Sequence, residues 1–234
     1  MNRDAFIRKL TNNQLIMSPV GRNTDELSPE EFDANYEKFF ELIFEISSAD
    51  ISGESGYGEF DENNEAPYNS VKEFILQTFD ETKEGYWMNW TKMFGTTFLK
   101  KEYFDKVLNK ALEYAPFCEG HRYLVNNNTF FCNMIMDEKG AYCIDWGRAG
   151  IMDYLMDFAI MDLNKPYLKI PEKLYAYAKE KGIDIPNFKE RFLCMAYFKG
   201  IDTLRWHASI DDLESCESIT KSINELEERI NNIK

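Results

Sequence analysis

Apolar residues recur at helical spacing along most of this chain and at strand spacing in one short stretch. Residues 2–11 read as a short helix, with Asn2 as its N-cap and Phe6, Ile7 and Leu10 on one face. Residues 13–18 read as a strand. Ser28, Pro29 and Glu31 mark the start of a long helix, combining a capping box with proline in the first turn. Phe32, Tyr36, Phe39, Phe40, Ile43 and Ile46 continue it with a 3.6-residue period. Residues 49–68, rich in glycine and acids, have no apolar period and read as a flexible loop. Ser70 with Glu73 opens a helix to about residue 80, and another spans about 100–115. Tyr123-Leu124-Val125 is a short apolar run, broken by Asn126-Asn127-Asn128. Cys132–Met136 and Ala141–Ile144 flank Asp137-Glu138-Lys139-Gly140 as a hairpin. Helices follow at roughly 152–163, 171–182, 187–209 and 212–232. In the last of these, Ile219, Ile223, Leu226 and Ile230 form a packing stripe. The fold class is mainly α (α+β), with one small β-hairpin, no internal repeat and no dividing linker.

Composition narrows the function. The 234 residues carry a net charge of −14 and no cluster of Lys and Arg. A nucleic-acid binder needs a basic face for the phosphate backbone, so that class is excluded. An acidic surface suits cationic small molecules instead. No apolar run approaches the ~18 residues of a membrane span. The first residues, MNRDAFIRKL, are too charged for a secretory signal. Five cysteines without a C-x-x-C pair read as reduced, mostly buried thiols, which places the chain in the cytoplasm. Two histidines are too few for a His-rich metal site.

The chemistry concentrates in residues 121–158. Asn133 starts one hairpin strand and Asp145 ends the other, so a hairpin brings an amide oxygen and a carboxylate together. Two such oxygens could share one Mg²⁺, a hard cation. Protein kinases hold the metals on ATP with a comparable Asn and Asp. Taken alone, these residues are more simply turn residues capping strand ends.

The run Cys143-Ile144-Asp145-Trp146-Gly147-Arg148-Ala149-Gly150 changes that balance. It resembles the I-D-W-x-x-A segment of the aminoglycoside phosphotransferases, a kinase-like family. Asp153 and Asp157 follow at that family's spacing. The segment Met17–Arg22 with Asp25-Glu26-Leu27 looks like the family's hinge after its N-lobe. Ala49–Ser52, Ser55–Gly58 and Tyr68–Phe74 are similar to the hygromycin B phosphotransferases in particular. The likeness covers most of residues 14–210. It implies a protein-kinase-like C-terminal lobe over 17–234, preceded by a remnant over 1–16. It also implies Mg²⁺ and ATP as cofactors, with Asn133 and Asp145 as their ligands and Asp157 as a structural acid accepting hydrogen bonds from the catalytic-loop backbone.

Two departures stand beside the likeness. The family's catalytic loop reads H-G-D-x-x-x-x-N, and counting back from Asn133 puts Asn128 at the catalytic Asp. An amide holds a hydroxyl but cannot take its proton. A second register, His121-Arg122-Tyr123-Leu124 to Asn128, also lacks the acid. It leaves 17 residues to Asp145, too many for the hairpin, against 12 from Asn133. The resemblance also implies a Gly-rich loop and a strand Lys ahead of the hinge. The 16 residues before Met17 contain no glycine, and Lys9 falls on the predicted helix, so the N-lobe is expected to be absent.

Asp202 and the pair Asp211-Asp212 are candidates for an acidic pocket that takes a polycation, with Asp153 as a further substrate contact, although such acids more often form a solvated face. Trp146 and Trp206 read as core. Three functions follow: an inactive family member binding an aminoglycoside-like cation or a protein partner over the missing lobe; an ATP-dependent phosphotransferase acting on a hydroxyl of such a cation; and a truncated gene product.

Overall fold

The computed structural model describes residues 21–80 and 93–234. The helix expected at 2–11, the strand at 13–18, the remnant over 1–16 and most of the hinge before Gly21 lie outside the described residues. Strand β1 (Arg22–Asn23) leads to α1 (Pro29–Asp33) and α2 (Tyr36–Ser47). The capping box forms as read: Ser28 Oγ accepts from Glu31 N, and Glu31 Oε2 accepts from Ser28 N at 2.9 Å. The single long helix expected here is instead two. In a continuous helix the Asn35 amide would donate to Glu31 O. The Asn35 side chain takes that carbonyl at 2.9 Å, and its own N–H turns to Phe32 O. Asparagine competes with the backbone in this way, and the helix breaks there.

Loop 49–68 is more ordered than its composition implies. Tyr57 pairs with Tyr68 across an antiparallel bridge, and Gly58–Glu59 form strand β2. A Cβ on Gly56 would lie 1.8 Å from Ala66 O, so glycine is there to let two backbones touch. Next come α3 (Val71–Thr78), the short α4 (Met93–Thr96), α5 (Lys101–Cys118) and β3 (Tyr123–Val125). Strands β4 (Met134–Met136) and β5 (Ala141–Cys143) form the expected hairpin, with Ile135 opposite Tyr142. Asp137 Oδ1 accepts from Lys139 N and Gly140 N and closes its turn. β1 adds to β4, giving a three-stranded sheet.

Strand β6 (Gly150–Met152), not foreseen in the sequence, directly precedes the expected helix, which begins at Leu155. It pairs with both β2 and β3, so loop 49–68 is stitched to the segment after Asp145. The remaining elements are α6 (Leu155–Asn164), α7 (Ile170–Lys181), α8 (Phe188–Ser209) and α9 (Leu213–Asn231). Helix α8 is the axis of the domain and packs against α5, α6 and α9. Its face toward α9 is tight at Gly200, where a Cβ would meet Ile223 at 2.7 Å. Ile219, Ile223, Leu226 and Ile230 are buried as their spacing implies. Trp206 is not core: it is 40% exposed near the end of α8, while Trp146 is half-buried with its indole N–H on Cys143 O. Four cysteines are buried and Cys132 is exposed. Among the described residues, no helix is long and apolar enough to cross a membrane.

Burying charge costs free energy unless each charge is met, and the interior meets its charges in pairs. Arg191 binds Asp153 through two nitrogens at 2.6 and 2.8 Å, both residues being buried. Arg229 binds Asp162 through two nitrogens at 2.9 and 3.0 Å.

The β2–β6 contact depends on the absence of a side chain at residue 150. A Cβ there would lie 2.1 Å from Gly58 O and 2.7 Å from the Glu59 Cα. Gly150→Ala is therefore expected to lower the unfolding free energy by about 1–3 kcal/mol, the usual cost of overpacking. Gly140→Ala, whose Cβ would meet nothing within 4 Å, is the control and should stay within about 0.5 kcal/mol. Urea midpoints of the two variants decide it.

Candidate functional site

The site forms where β3 ends and the chain turns toward the hairpin. Its anchor is Asp157, in the first turn of α6 and fully buried. The Asp157 carboxylate accepts from Asn126 N at 3.0 Å and Asn127 N at 2.8 Å. Thr129 Oγ1 donates to its backbone carbonyl at 2.7 Å. Burial pushes the Asp157 carboxyl up to about 6, and the two backbone N–H groups pull against that rise. Asn126 also donates from its side chain to Asp145 O at 3.3 Å, and its Oδ1 accepts from Asn128 N at 3.1 Å. One asparagine thus shapes the loop and ties it to the far end of the hairpin.

Asn128, Asn133 and Asp145 come together. Asn128 Nδ2 donates to Asp145 Oδ2 at 2.7 Å, and Asn133 Nδ2 donates to Asn128 O at 3.0 Å. The backbone closes the same contact, with Ile144 N donating to Asn133 O at 2.9 Å. Asp145 is exposed, whereas Asn128 and Asn133 are half-buried. Asn127 and Asp145 both sit in the left-handed region, at φ 58° and 54°. Asn and Asp tolerate that region better than other residues with a Cβ, yet each such placement costs about 1–3 kcal/mol that its surroundings must offset.

Asn133 Oδ1 and the second Asp145 oxygen suit a hard cation. Among the described residues, no cluster of three or more His, Cys, Asp or Glu side chains could hold a metal alone. An ion here would draw its other ligands from water and from phosphate, the manner in which Mg²⁺ is usually held. The donor set fits that ion.

Of the acids expected to meet a polycation, Asp153 and Asp202 do not face solvent, while Asp211 is exposed and Asp212 half-buried between α8 and α9. Asp153 is consumed by Arg191. Asp202 lies beneath three cations: Arg148 at 3.2 Å, Lys199 at 3.2 Å and Arg205 at 2.8 Å. Burial alone would raise the Asp202 carboxyl, but Lys199, Arg148 and Arg205 outweigh it and hold the carboxyl far below the usual range. The physical reason is helical register: residues 199, 202 and 205 share the face of α8 that looks into the protein. His121 is half-buried, and burial lowers its pKa. His207 Nδ1 meets Asp212, which caps α9.

The side chains that tie the two loops together were not legible in the sequence. Arg148 Nε donates to Glu59 at 2.9 Å, and Asn127 Nδ2 donates to Glu59 at 2.8 Å and to Arg148 O at 3.1 Å. Lys199 Nζ donates to Asn127 Oδ1 at 3.1 Å. Arg148 carried one signal, its place three residues after Asp145. Glu59 and Lys199 carried none, being 68 and 72 residues from Asn127.

No described protein family matches the chain by sequence, and no curated protein does. Solved structures do match. A thermostable mutant of aminoglycoside phosphotransferase APH(4)-Ia, in its apo form, superposes with a TM-score of 0.67 at 19% identity, over 90% of this chain and 70% of that one. A second mutant of the same protein, solved as a ternary complex with AMP-PNP and hygromycin B, gives 0.68 at 18% identity, over 89% and 69%. Spectinomycin phosphotransferase APH(9)-Ia, in complex with ADP and spectinomycin, gives 0.50 at 12% identity, over 92% and 69%. The described chain has the fold of the aminoglycoside phosphotransferases.

Proposed function

We propose that this chain is a member of the aminoglycoside phosphotransferase family whose cleft keeps the ligands for a metal–nucleotide complex and lacks the proton acceptor. Residues 17–234 are read as the lobe that carries the metal ligands and the substrate floor. The observation that carries the proposal is the Asn128–Asp145 contact. Where the family resemblance puts a carboxylate base, an amide N–H points at the metal-binding carboxylate. A carboxamide has no basic site at neutral pH, so Asn128 can hold a hydroxyl but cannot accept its proton. Asn133 and Asp145 would hold Mg²⁺, and the bound ion would offset charge on the nucleotide phosphates. Asp157 keeps the loop backbone closed around that position.

The substrate class follows from two supports. The neighbouring structures hold hygromycin B and spectinomycin, and this chain carries a net charge of −14, which attracts polyamines. The second reading, a working phosphotransferase, is favoured by the assembled Asn128–Asn133–Asp145 cluster. Phosphoryl transfer proceeds through a loose transition state in which positioning does most of the work, so some turnover without a base is chemically reasonable.

Calorimetric titration with MgATP tests the cleft without knowledge of the substrate. Binding is expected in the wild-type chain and is expected to vanish in Asp145→Ala. No heat at millimolar nucleotide would sink the proposal. Turnover separates the two readings. With hygromycin B as acceptor, Asn128→Asp should raise phosphate transfer by about 10²–10⁴-fold, the usual contribution of a general base. A wild-type rate at or above about 1 per second, the ordinary range for such enzymes, that Asn128→Asp leaves unchanged would establish the working enzyme instead.

A further inference from the structure

We propose that Lys199 is a positioning residue that locks the loop carrying Asn128 against the loop carrying Asp145 through a closed ring of side chains. The ring runs Asn127–Lys199–Asp202–Arg148–Glu59 and back to Asn127. Each link is a hydrogen bond or an ion pair. Lys199 Nζ reaches Asn127 Oδ1 at 3.1 Å and Asp202 Oδ2 at 3.2 Å. Arg148 NH1 reaches Asp202 Oδ2 at 3.2 Å, and Arg148 Nε reaches Glu59 Oε1 at 2.9 Å. Asn127 Nδ2 closes the ring on Glu59 Oε1 at 2.8 Å and adds a rung to the Arg148 carbonyl at 3.1 Å. The role matters for function to the extent that the metal–nucleotide reading above holds, because Asn128 and Asp145 are the residues it positions.

Placement makes the ring more than a set of stabilising pairs. Asn127 directly precedes Asn128, and Arg148 lies three residues after Asp145. Asn127 and Asp145 both hold left-handed backbone, which a free loop would leave. Lys199, Asn127 and Asp202 are almost wholly buried, while Arg148 and Glu59 form a half-exposed rim. Lys199 sits on α8, the best-packed helix of the domain, so the ring transmits that rigidity to both loops. Burial alone disfavours an ammonium there. The geometry shows what it serves: the flexible stem of lysine brings three donors to one point, where Asn127 and Asp202 take two of them. Asp202 keeps Arg148 and Arg205 if Lys199 is removed, so no carboxylate is left buried and alone. Replacing the lysine by an apolar side chain of similar length therefore preserves the fold.

The test is amide hydrogen exchange of the full chain with Lys199→Met and, independently, with Glu59→Ala, which removes the acceptor that closes the ring at its exposed rim. The amides of Asn127 and Asn128 in one segment and of Ala149 in the other are expected to exchange at least tenfold faster in both variants. The amides of α5 and α9 should keep their rates. The double variant should add little to either single one, since one cut already opens the ring. Faster exchange confined to α8, or a uniform increase across all helices, would show a purely structural lysine and overturn the proposal. MgATP affinity supplies the functional readout: Lys199→Met should weaken it about tenfold with little change in the wild-type melting temperature. A wild-type chain that binds no MgATP would defeat the family reading alone, because the exchange pattern does not depend on nucleotide.

Discussion

The candidate site depends on one buried carboxylate. Asp157 gathers two consecutive backbone amides with its carboxylate and accepts the Thr129 hydroxyl on its backbone carbonyl. Without it, two N–H groups in a buried loop would have no partner, and each would cost about 1–3 kcal/mol. With it, the chain can leave β3, turn through left-handed Asn127 and present Asn128 toward the hairpin. The hairpin end, the ring of charges and the strained backbone at Asp145 all refer back to this fixed turn.

Electrostatics divide the molecule into two regimes. Most of the acid excess is at the surface, where water screens it. Behind the two loops the charges are matched: Arg148, Lys199 and Arg205 surround Asp202, with Glu59 and Asp157 as the other anions. Charge there is matched within a strongly anionic chain. The net charge read from composition describes the field the protein presents at a distance. It does not describe the floor on which the loops rest.

Much of this was readable in the chain itself. Serine caps at residues 28 and 70 announced their helices, and the apolar stripe of α9 announced its buried face. Asp137 and Gly140 marked the hairpin turn, which fixed the neighbourhood of Asn133 and Asp145. What escaped was whatever depends on distant partners. Strands β2 and β6 are two and three residues long, too short for a period, and exist because Gly150 lets the backbones meet. The break at Asn35 turns on which donor takes one carbonyl. The buried charges of α8 look in sequence like a solvated face: Lys199 and Arg205 stand three residues either side of Asp202, a common surface pattern, and only the distant Arg148 and the inward turn of that face bury them.

The contact between Asn128 and Asp145 also bears on how this chain can change. Codons for asparagine and aspartate differ by one base, so a carboxylate at residue 128 is a single substitution away. That step is not neutral in this geometry. The amide donates at 2.7 Å to Asp145, and a second carboxylate would place two anions at that separation. The altered loop would then have to bind a proton or a divalent ion to stay closed. A carboxylate at this position and dependence of the loop on a cation would thus be inherited together.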